Sequence, residues 1–315
     1  MDIKGILKKG FSFLFNPDYR FSILSSYGVY KNMPDEEYLA RLYKAKFGKE
    51  LDFENPKTFN EKLQWLKIYY RRPDYTMMAD KYAVRPYIAE KIGEEYLVPL
   101  LGVWDSPDDI DFDKLPEQFV LKCNHNSGLG MCICKDKSKL NVEKAREDIR
   151  KGFNEDYFVA SREWQYRDVP KKIIAEKYMK DSKQNEETGI INYKISCFNG
   201  EPKYIYVSRN SEGKKNDCLS LLTPEWENAP FTHRRYKPFD ELPPKPVNYD
   251  KMLELSRILS DGIPFVRVDF YEIDSKLYFS ELTFTIAGGF THYDPPESGE
   301  LIGSWLTLPE KWEEV

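Results

Sequence analysis

FVRVDFYEIDSKLYFSELTF, residues 265–284, decides how this chain is read. Its first half alternates strictly. Val266, Val268 and Phe270 point one way and Arg267, Asp269 and Tyr271 the other, because successive side chains of an extended strand leave opposite faces. Asp274-Ser275 make a turn, and the chain returns through KLYFSELTF with Glu281 and Thr283 on one face. Two carboxylates on adjacent strands form the hard-oxygen set that Mg²⁺ shares with a polyphosphate. An arginine beside them neutralises charge on a phosphoryl group in transfer. The same residues would also make an ordinary ion pair on a solvent-facing hairpin, so the rest of the chain has to decide.

Outward from that hairpin, YDKMLELSRILSDG (249–262) has helical spacing and KPFDELPPKPVNY (237–249) is a proline-rich connection. NYKISCFNGEPKYIYVSRN (192–210) reads as a second hairpin about Asn199-Gly200, a pair that adopts positive φ readily. Further upstream come a strand in KKIIAEKYM (171–179), a helix in NVEKAREDIRKGF (141–153), and a strand, glycine-bearing turn and strand in QFVLKCNHNSGLGMCICKD (118–136). YLVPLLGVW (96–104) reads as a strand, and MADKYAVRPYIAEKIG (78–93) as one helix closed by Gly93. Ahead of these, DEEYLARLYKAKFG (35–48) is a helix stopped by Gly48, and NPKTFNEKLQWLKIYYR (55–71) begins with Thr58 and Glu61 spaced for a capping box. The predicted division is a helical region over 1–75, an α+β unit over 76–179 and a second over 180–315.

The composition excludes several classes. With 41% hydrophobic and 31% charged residues the chain is globular. A net charge of -5 lacks the basic excess that phosphate neutralisation demands, so nucleic acid is not an expected partner. Cys123, Cys132, Cys134, Cys197 and Cys218 are odd in number and unpaired in spacing, which suits a reducing, cytoplasmic setting. Cys123, His125, Cys132 and Cys134 lack the C-x-x-C turn of a zinc knuckle and read as alternating strand positions. No stretch approaches the ~20 apolar residues of a membrane span. MDIKGILKKGFSFLF at the N-terminus packs on the body as a first helix or lies on a membrane surface as an amphipathic segment.

Lys122 ends the strand FVLK ahead of the turn NHNSGLG, where Ser127 and Gly128 let backbone N–H groups approach phosphate oxygens. No GK[ST] follows, so this is not a Walker loop. IIAEKYM ends in Glu176, which can face an adenine amino group, with the backbone of Lys177 and Met179 along the base edge. Lys194 lies on the next strand. Singly, each has a plain structural explanation: a hairpin turn, an edge strand, a surface lysine.

In order, these motifs resemble the ATP-grasp superfamily. NPKTFNEKLQWLK, ADKYAVRPYI, FVLKCNHNSG, IIAEKYM, CFNGEP and RVDFY…YFSELTF are together similar to its TupA-like branch, named for teichuronopeptide biosynthesis, over about residues 55–310. The resemblance implies an α+β ATP-grasp fold, two α+β subdomains sandwiching ATP, with a helical N-terminal extension. It implies that Lys122 and Lys194 touch ATP phosphates with the Ser127–Gly128 loop. Glu176, Lys177 and Met179 would hold adenine, Arg267 would meet the γ-phosphate, and Asp269 and Glu281 would hold Mg²⁺. Thr283 stands where many members have asparagine, which leaves the third ligand open. Asp181 is the candidate for ribose. His125 in the glycine loop would contact phosphate, donate to an oxyanion or act as a base, unless it is a loop residue with no chemical task. Arg85 reaches a phosphate or pairs with Asp80 or Glu90. REWQYRD (162–168) closes over substrate or packs, and Ala287-Gly288-Gly289 face the acceptor or simply turn.

The implied reaction is ATP-dependent ligation of a carboxylate to an amine through an acyl phosphate. Its expected substrates are a uronic acid of a bacterial surface polysaccharide and an amino acid or similar small amine. Two other classes stay open. One is a kinase on the same scaffold acting on a sugar hydroxyl. The other is a glycosyltransferase, for which Asp111-Phe112-Asp113 has the DxD form but no preceding apolar strand.

Overall fold

The computed structural model describes residues 11–182, 190–209 and 218–313. Two antiparallel sheets carry the site. The first has strands β1 (Leu100–Trp104), β2 (Phe119–Cys123), β3 (Cys132–Cys134) and β4 (Ile173–Lys177), in the order β1-β4-β2-β3. Helix α6 (Val142–Phe153) covers one face, where Ile149 and Ala145 pack on Phe119, Leu121 and Ile173. The second sheet has β5 (Ile191–Phe198), β6 (Glu201–Arg209), β7 (Cys218–Leu222), β9 (Phe265–Ile273) and β10 (Lys276–Thr283), in the order β10-β9-β5-β6-β7. Short strands β8 (Thr232–His233) and β11 (Tyr293–Asp294) pair separately.

Alternation decides which face of the second sheet is buried. Val266, Val268 and Phe270 of β9 join Ile195 and Cys197 of β5 against Met252, Leu255 and Leu259 of helix α8 (Tyr249–Ser260). Every one of these is at most 2% exposed, and each large apolar side chain so buried stabilises the fold by about 1.5–3 kcal/mol. The hairpin turns fall as expected. Asn199 and Gly200 have φ of 48° and 87°, and Asp274 and Ser275 have 49° and 61°, the positive-φ pairs that match strand twist.

The helical region does not stand apart. Helices α1 (Pro17–Ser26) and α2 (Asp35–Phe47) pack on each other through Phe21, Tyr38, Leu39 and Leu42. Helix α3 (Phe59–Tyr69) begins at the Thr58–Glu61 capping box and drives Phe59 and Leu63 into a core with Phe198, Tyr204 and Phe265. Polar side chains of α3 fasten it to the segment after β10: Asn60 donates to the Thr291 carbonyl (2.8 Å) and Gln64 to that of Gly289 (2.8 Å). Helix α9 (Ser298–Ser304) packs on the same helix, and Lys62 donates to the carbonyls of Gly303 and Leu306.

Two sequence expectations need correction. Residues 96–104 are not all strand, since Glu94–Tyr96 form a 3₁₀ turn and β1 starts at Leu100. Residues 78–93 are not one helix. They divide into α4 (Asp74–Ala79) and α5 (Val84–Lys91), with Asp80 extended between them at ψ 114°. The Asp80 carboxylate accepts the N–H groups of Tyr82 (2.7 Å) and Ala83 (3.1 Å), local bonds that compete with helix continuation. Asn124 also donates to Asp80 (2.8 Å), which ties this break to the end of β2.

Candidate active site

Strand register assembles the centre. Lys194 on β5 lies opposite Asp269 on β9, which lies opposite Glu281 on β10. The neighbouring row is Ser196, Arg267 and Thr283. Regular alternation along β10 would put Glu281 with Leu277 and Phe279, facing the core. A bulge between Phe279 and Glu281 inserts Ser280 unpaired and changes the parity, so Leu282 turns inward against Val268 and Glu281 comes out beside Asp269.

In this row Arg267 donates both arms of its fork to Asp269, at 2.6 Å each, and reaches Glu281 (3.4 Å) and the Thr283 hydroxyl (3.1 Å). Lys194 stands 3.1 Å from Asp269. Asp269 is 3% exposed, a burial that a carboxylate tolerates only when paired in this way. Burial opposes ionisation of Glu281, but Lys81, Lys194, Arg267 and Lys122 outweigh it and hold the carboxyl at about 2.

The first sheet supplies the opposite wall. Lys122 on β2 pairs with Glu176 on β4 at 2.6 Å, and Arg85 on α5 lies 3.8 Å from the same carboxylate while donating to the Val98 carbonyl. Glu176 therefore meets two cations here, and Arg85 faces this carboxylate rather than Asp80 or Glu90. Burial works against the Lys122 charge, yet Glu176 and other neighbours keep its pKa raised.

Lys81 is the residue the sequence reading passed over. It donates to the Asn126 carbonyl (2.6 Å), lies 3.7 Å from Glu281, and so spans from the glycine loop to the β9–β10 carboxylates. Burial lowers its pKa, offset in part by Glu281. In an unbroken helix it would be a surface lysine. The signal was Asp80, an N-cap type residue directly before it.

The remaining candidates fall in varied places. Ser127 and Gly128 are exposed at the loop tip, Gly128 with φ 89°. Asn126 fixes the loop base by donating to the carbonyls of Leu129 and Gly152, both at 3.1 Å. His125 is 2% exposed, edge-on to Phe153, and burial with the nearby Lys171 charge pushes its imidazole down to about 4. It is thus a neutral, enclosed ring. The Lys177 N–H donates to the Pro99 carbonyl (3.0 Å), and Met179 follows half-buried. Asp181 accepts the Asp274 N–H (3.4 Å) at the β9–β10 turn. Cys123, Cys132, Cys134 and Cys197 form no disulfide, and no group of three or more His, Cys, Asp or Glu side chains is placed to hold a metal among the described residues. That leaves Asp269 and Glu281 as a two-carboxylate set with a hydroxyl adjacent, which fits Mg²⁺ whose remaining ligands come from phosphates and water.

A TupA-like ATP-grasp family model matches residues 61–307, and the chain belongs to that family. Among solved structures it is similar to D-alanine–D-alanine ligase from Bacillus anthracis complexed with ATP, at 18% identity over 66% of this chain, TM-score 0.38. It is also similar to D-alanine–D-alanine ligase from Helicobacter pylori, at 15% identity over 79% of this chain and 69% of that one, TM-score 0.41. An L-amino acid ligase from Bacillus licheniformis matches at 13% identity over 82% and 57%, TM-score 0.42. The chain spans 55% of the length of the Bacillus anthracis enzyme. Comparison with curated proteins finds no match.

Proposed function

We propose that this chain is an ATP-dependent carboxylate–amine ligase that joins a uronic acid of a bacterial surface polysaccharide to an amino acid or similar small amine. The observation that carries the reading is the convergence of Lys81, Lys122, Lys194 and Arg267 on the carboxylates Glu176, Asp269 and Glu281 between two sheets. Every cation there already faces a carboxylate, so an arriving triphosphate can be gripped by rearranging ion pairs within the cleft. In phosphoryl transfer, positioning and charge neutralisation supply most of the acceleration, and this constellation does both.

The substrate carboxylate attacks the γ-phosphorus, the bond to ADP breaks, and an acyl phosphate forms. Lys122, Lys194 and Lys81 hold the phosphate chain, and Arg267 follows the charge onto the transferred group. Asp269 and Glu281 would hold Mg²⁺, which would supply charge neutralisation for the phosphates. An amine then displaces the phosphate. The family is named for polysaccharide-linked peptide synthesis, which supports the uronic acid. Among the described residues no helix is long and apolar enough to cross a membrane. Phe11, Leu14 and Phe15 are each about two-thirds exposed. They extend the amphipathic N-terminal segment, whose first ten residues lie outside the described ones, and they suit work at the inner face of a membrane.

The test is ADP release from Mg·ATP across uronic acids and primary amines, with mass analysis. An amide mass requiring both partners supports the ligase. A stable phosphorylated sugar formed without amine replaces it with the kinase, and sugar transfer from a nucleotide sugar replaces it with the glycosyltransferase.

A further inference from the structure

Beside the phosphoryl centre lies a cleft of about 680 Å³ that none of the ATP-directed residues line. Its walls come from three distant parts of the chain. The end of α1 and the turn after it contribute Gly28 and Lys31, the segment around helix α7 (Tyr157–Ser161) contributes Asp156 and Tyr157, and the turn after β10 contributes Ala287 and Gly288. Glu163 forms part of its lining and is 3% exposed.

The cleft is held in shape by a buried lysine. Lys67 on α3 donates to the Ser161 carbonyl (2.6 Å) and the Gly288 carbonyl (2.8 Å), locking the end of α7 against the turn after β10. Ala287 and Gly288 sit at φ 47° and 64°, and a Cβ on Gly288 would meet that of Ser161 at 2.8 Å. Glu163 accepts the Ser161 hydroxyl (2.6 Å), which fixes its carboxylate at the same junction.

Two observations say what enters. Three carboxylates, Glu155, Asp156 and Glu163, line the cleft against the lining cation Lys31 and the buried Lys67 behind it, so the balance stays negative and favours a positive ligand. Ala287 and Gly288 lie just past the end of β10, and Gln165, two residues on from Glu163, donates to the Thr285 hydroxyl (3.1 Å), so the cleft adjoins the strand that carries Glu281. Burial raises the Glu163 pKa, opposed by the Ser161 hydroxyl, the Lys67 charge and the Thr285 hydroxyl and aided by Glu281, which improves it as a proton acceptor near neutrality.

We propose that this cleft is the amine subsite, receiving a primary ammonium group whose proton Glu163 accepts before the nitrogen attacks. This rests on the ligase reading for its chemistry. R–NH₃⁺ gives one proton to the Glu163 carboxylate. The freed lone pair forms a bond to the acyl carbon, and the carbon–oxygen bond to phosphate breaks. The departing phosphate takes the second nitrogen proton, leaving amide, protonated Glu163 and hydrogen phosphate. The region before residue 61, outside the family match, supplies one wall, so the choice of amine is set partly by this chain's own helices.

The experiment compares wild type with Glu163→Gln, using hydroxylamine and primary amines against a panel of uronic acids with Mg·ATP. Hydroxylamine is largely unprotonated at neutral pH and needs no base. Glu163→Gln should keep hydroxamate formation within a few-fold of wild type while amide formation falls about 10²-fold or more, with partial recovery as pH rises. Equal loss of both products makes Glu163 a structural residue and overturns the proposal. Ser26→Trp, at the cleft rim, should raise KM for the amine about tenfold and leave KM for ATP unchanged. Saturation-transfer NMR with ethanolamine, glycine and their N-acetyl forms, in Mg·ADP, supplies an arm independent of turnover. Ammonium probes should bind wild type, lose binding in Glu163→Gln, and lose it on acetylation. If they bind so but no amide or hydroxamate forms from any carboxylate, the ligase reading falls and the ammonium site stands. If none binds, or the variant binds equally, the subsite is refuted.

Discussion

Glu281→Gln tests the central claim, that four cations are focused on one carboxylate. The side chain lies 3.7 Å from Lys81 and 3.4 Å from Arg267, and its pKa falls from the ordinary 4.5 to about 2. At about 1.4 kcal/mol per tenfold, that difference sets an upper figure of about 3 kcal/mol. Because 30% of the side chain is exposed, water screening reduces it to about 1–2 kcal/mol. The neutral amide keeps the shape and loses this, so thermal unfolding in EDTA at pH 7 should shift down by about 1.5–3 °C. The sign with pH follows from the depressed value. The contribution is present above 4.5, where the unfolded chain is also ionised, and is lost as pH falls toward 2. The gap between wild type and variant should therefore narrow between pH 5 and pH 2. ADP release by the same variant should fall at least 10²-fold. A Glu281→Gln protein as stable as wild type at pH 7, or a gap that widens in acid, refutes the electrostatic account.

Further outcomes follow from the same structure. Lys81→Met should cut ADP release at least 10²-fold and raise KM for ATP, with circular dichroism unchanged; near-normal kinetics would remove Lys81 from the site. Gly152→Ala should cost about 1–3 kcal/mol in urea unfolding and weaken ATP binding, since its Cβ would stand 2.2 Å from the Leu129 carbonyl oxygen beneath the glycine loop. The buried His125 refuses a proton that the unfolded chain takes up below 6.5, so wild-type stability should drop by about 2–3 kcal/mol between pH 6.5 and about 4, and His125→Phe should flatten that part of the profile. The pH–rate profile should carry no limb from His125 near neutrality.

Much of this site was legible because period and chemistry coincide. Alternation in β9 put Arg267 and Asp269 on one face, and turn residues at 199–200 and 274–275 fixed both hairpins. The Ser280 bulge was less visible. Its trace is the spacing of apolar residues, at 277 and 279 and then at 282 and 284, a parity change that only an extra residue can absorb. Lys81 escaped because a helical period runs through 78–93, while the break depends on what Asp80 bonds to, including Asn124 some forty residues on. Glu163 and Lys67 escaped for a related reason. Nothing in REWQYRD or in the α3 face tells which charges become enclosed, since enclosure comes from α1, α7 and the turn after β10 meeting in space.

One wall of the 680 Å³ cleft, from the end of α1 and the turn after it, precedes the stretch matched by the family, whereas α7, the turn after β10 and the residues proposed to grip the nucleotide lie within it. On the proposed reading, part of acceptor recognition is thus encoded in a length of chain separate from the residues for ATP. A chimera that exchanges residues 11–33 between two family members, keeping Asp35 and Arg162 as the ion-paired seam (3.1 Å), should transplant amine preference while the affinity for ATP stays with the recipient. Relatives could diversify what they attach by editing a leading segment of a few turns, without disturbing the machinery that spends the nucleotide.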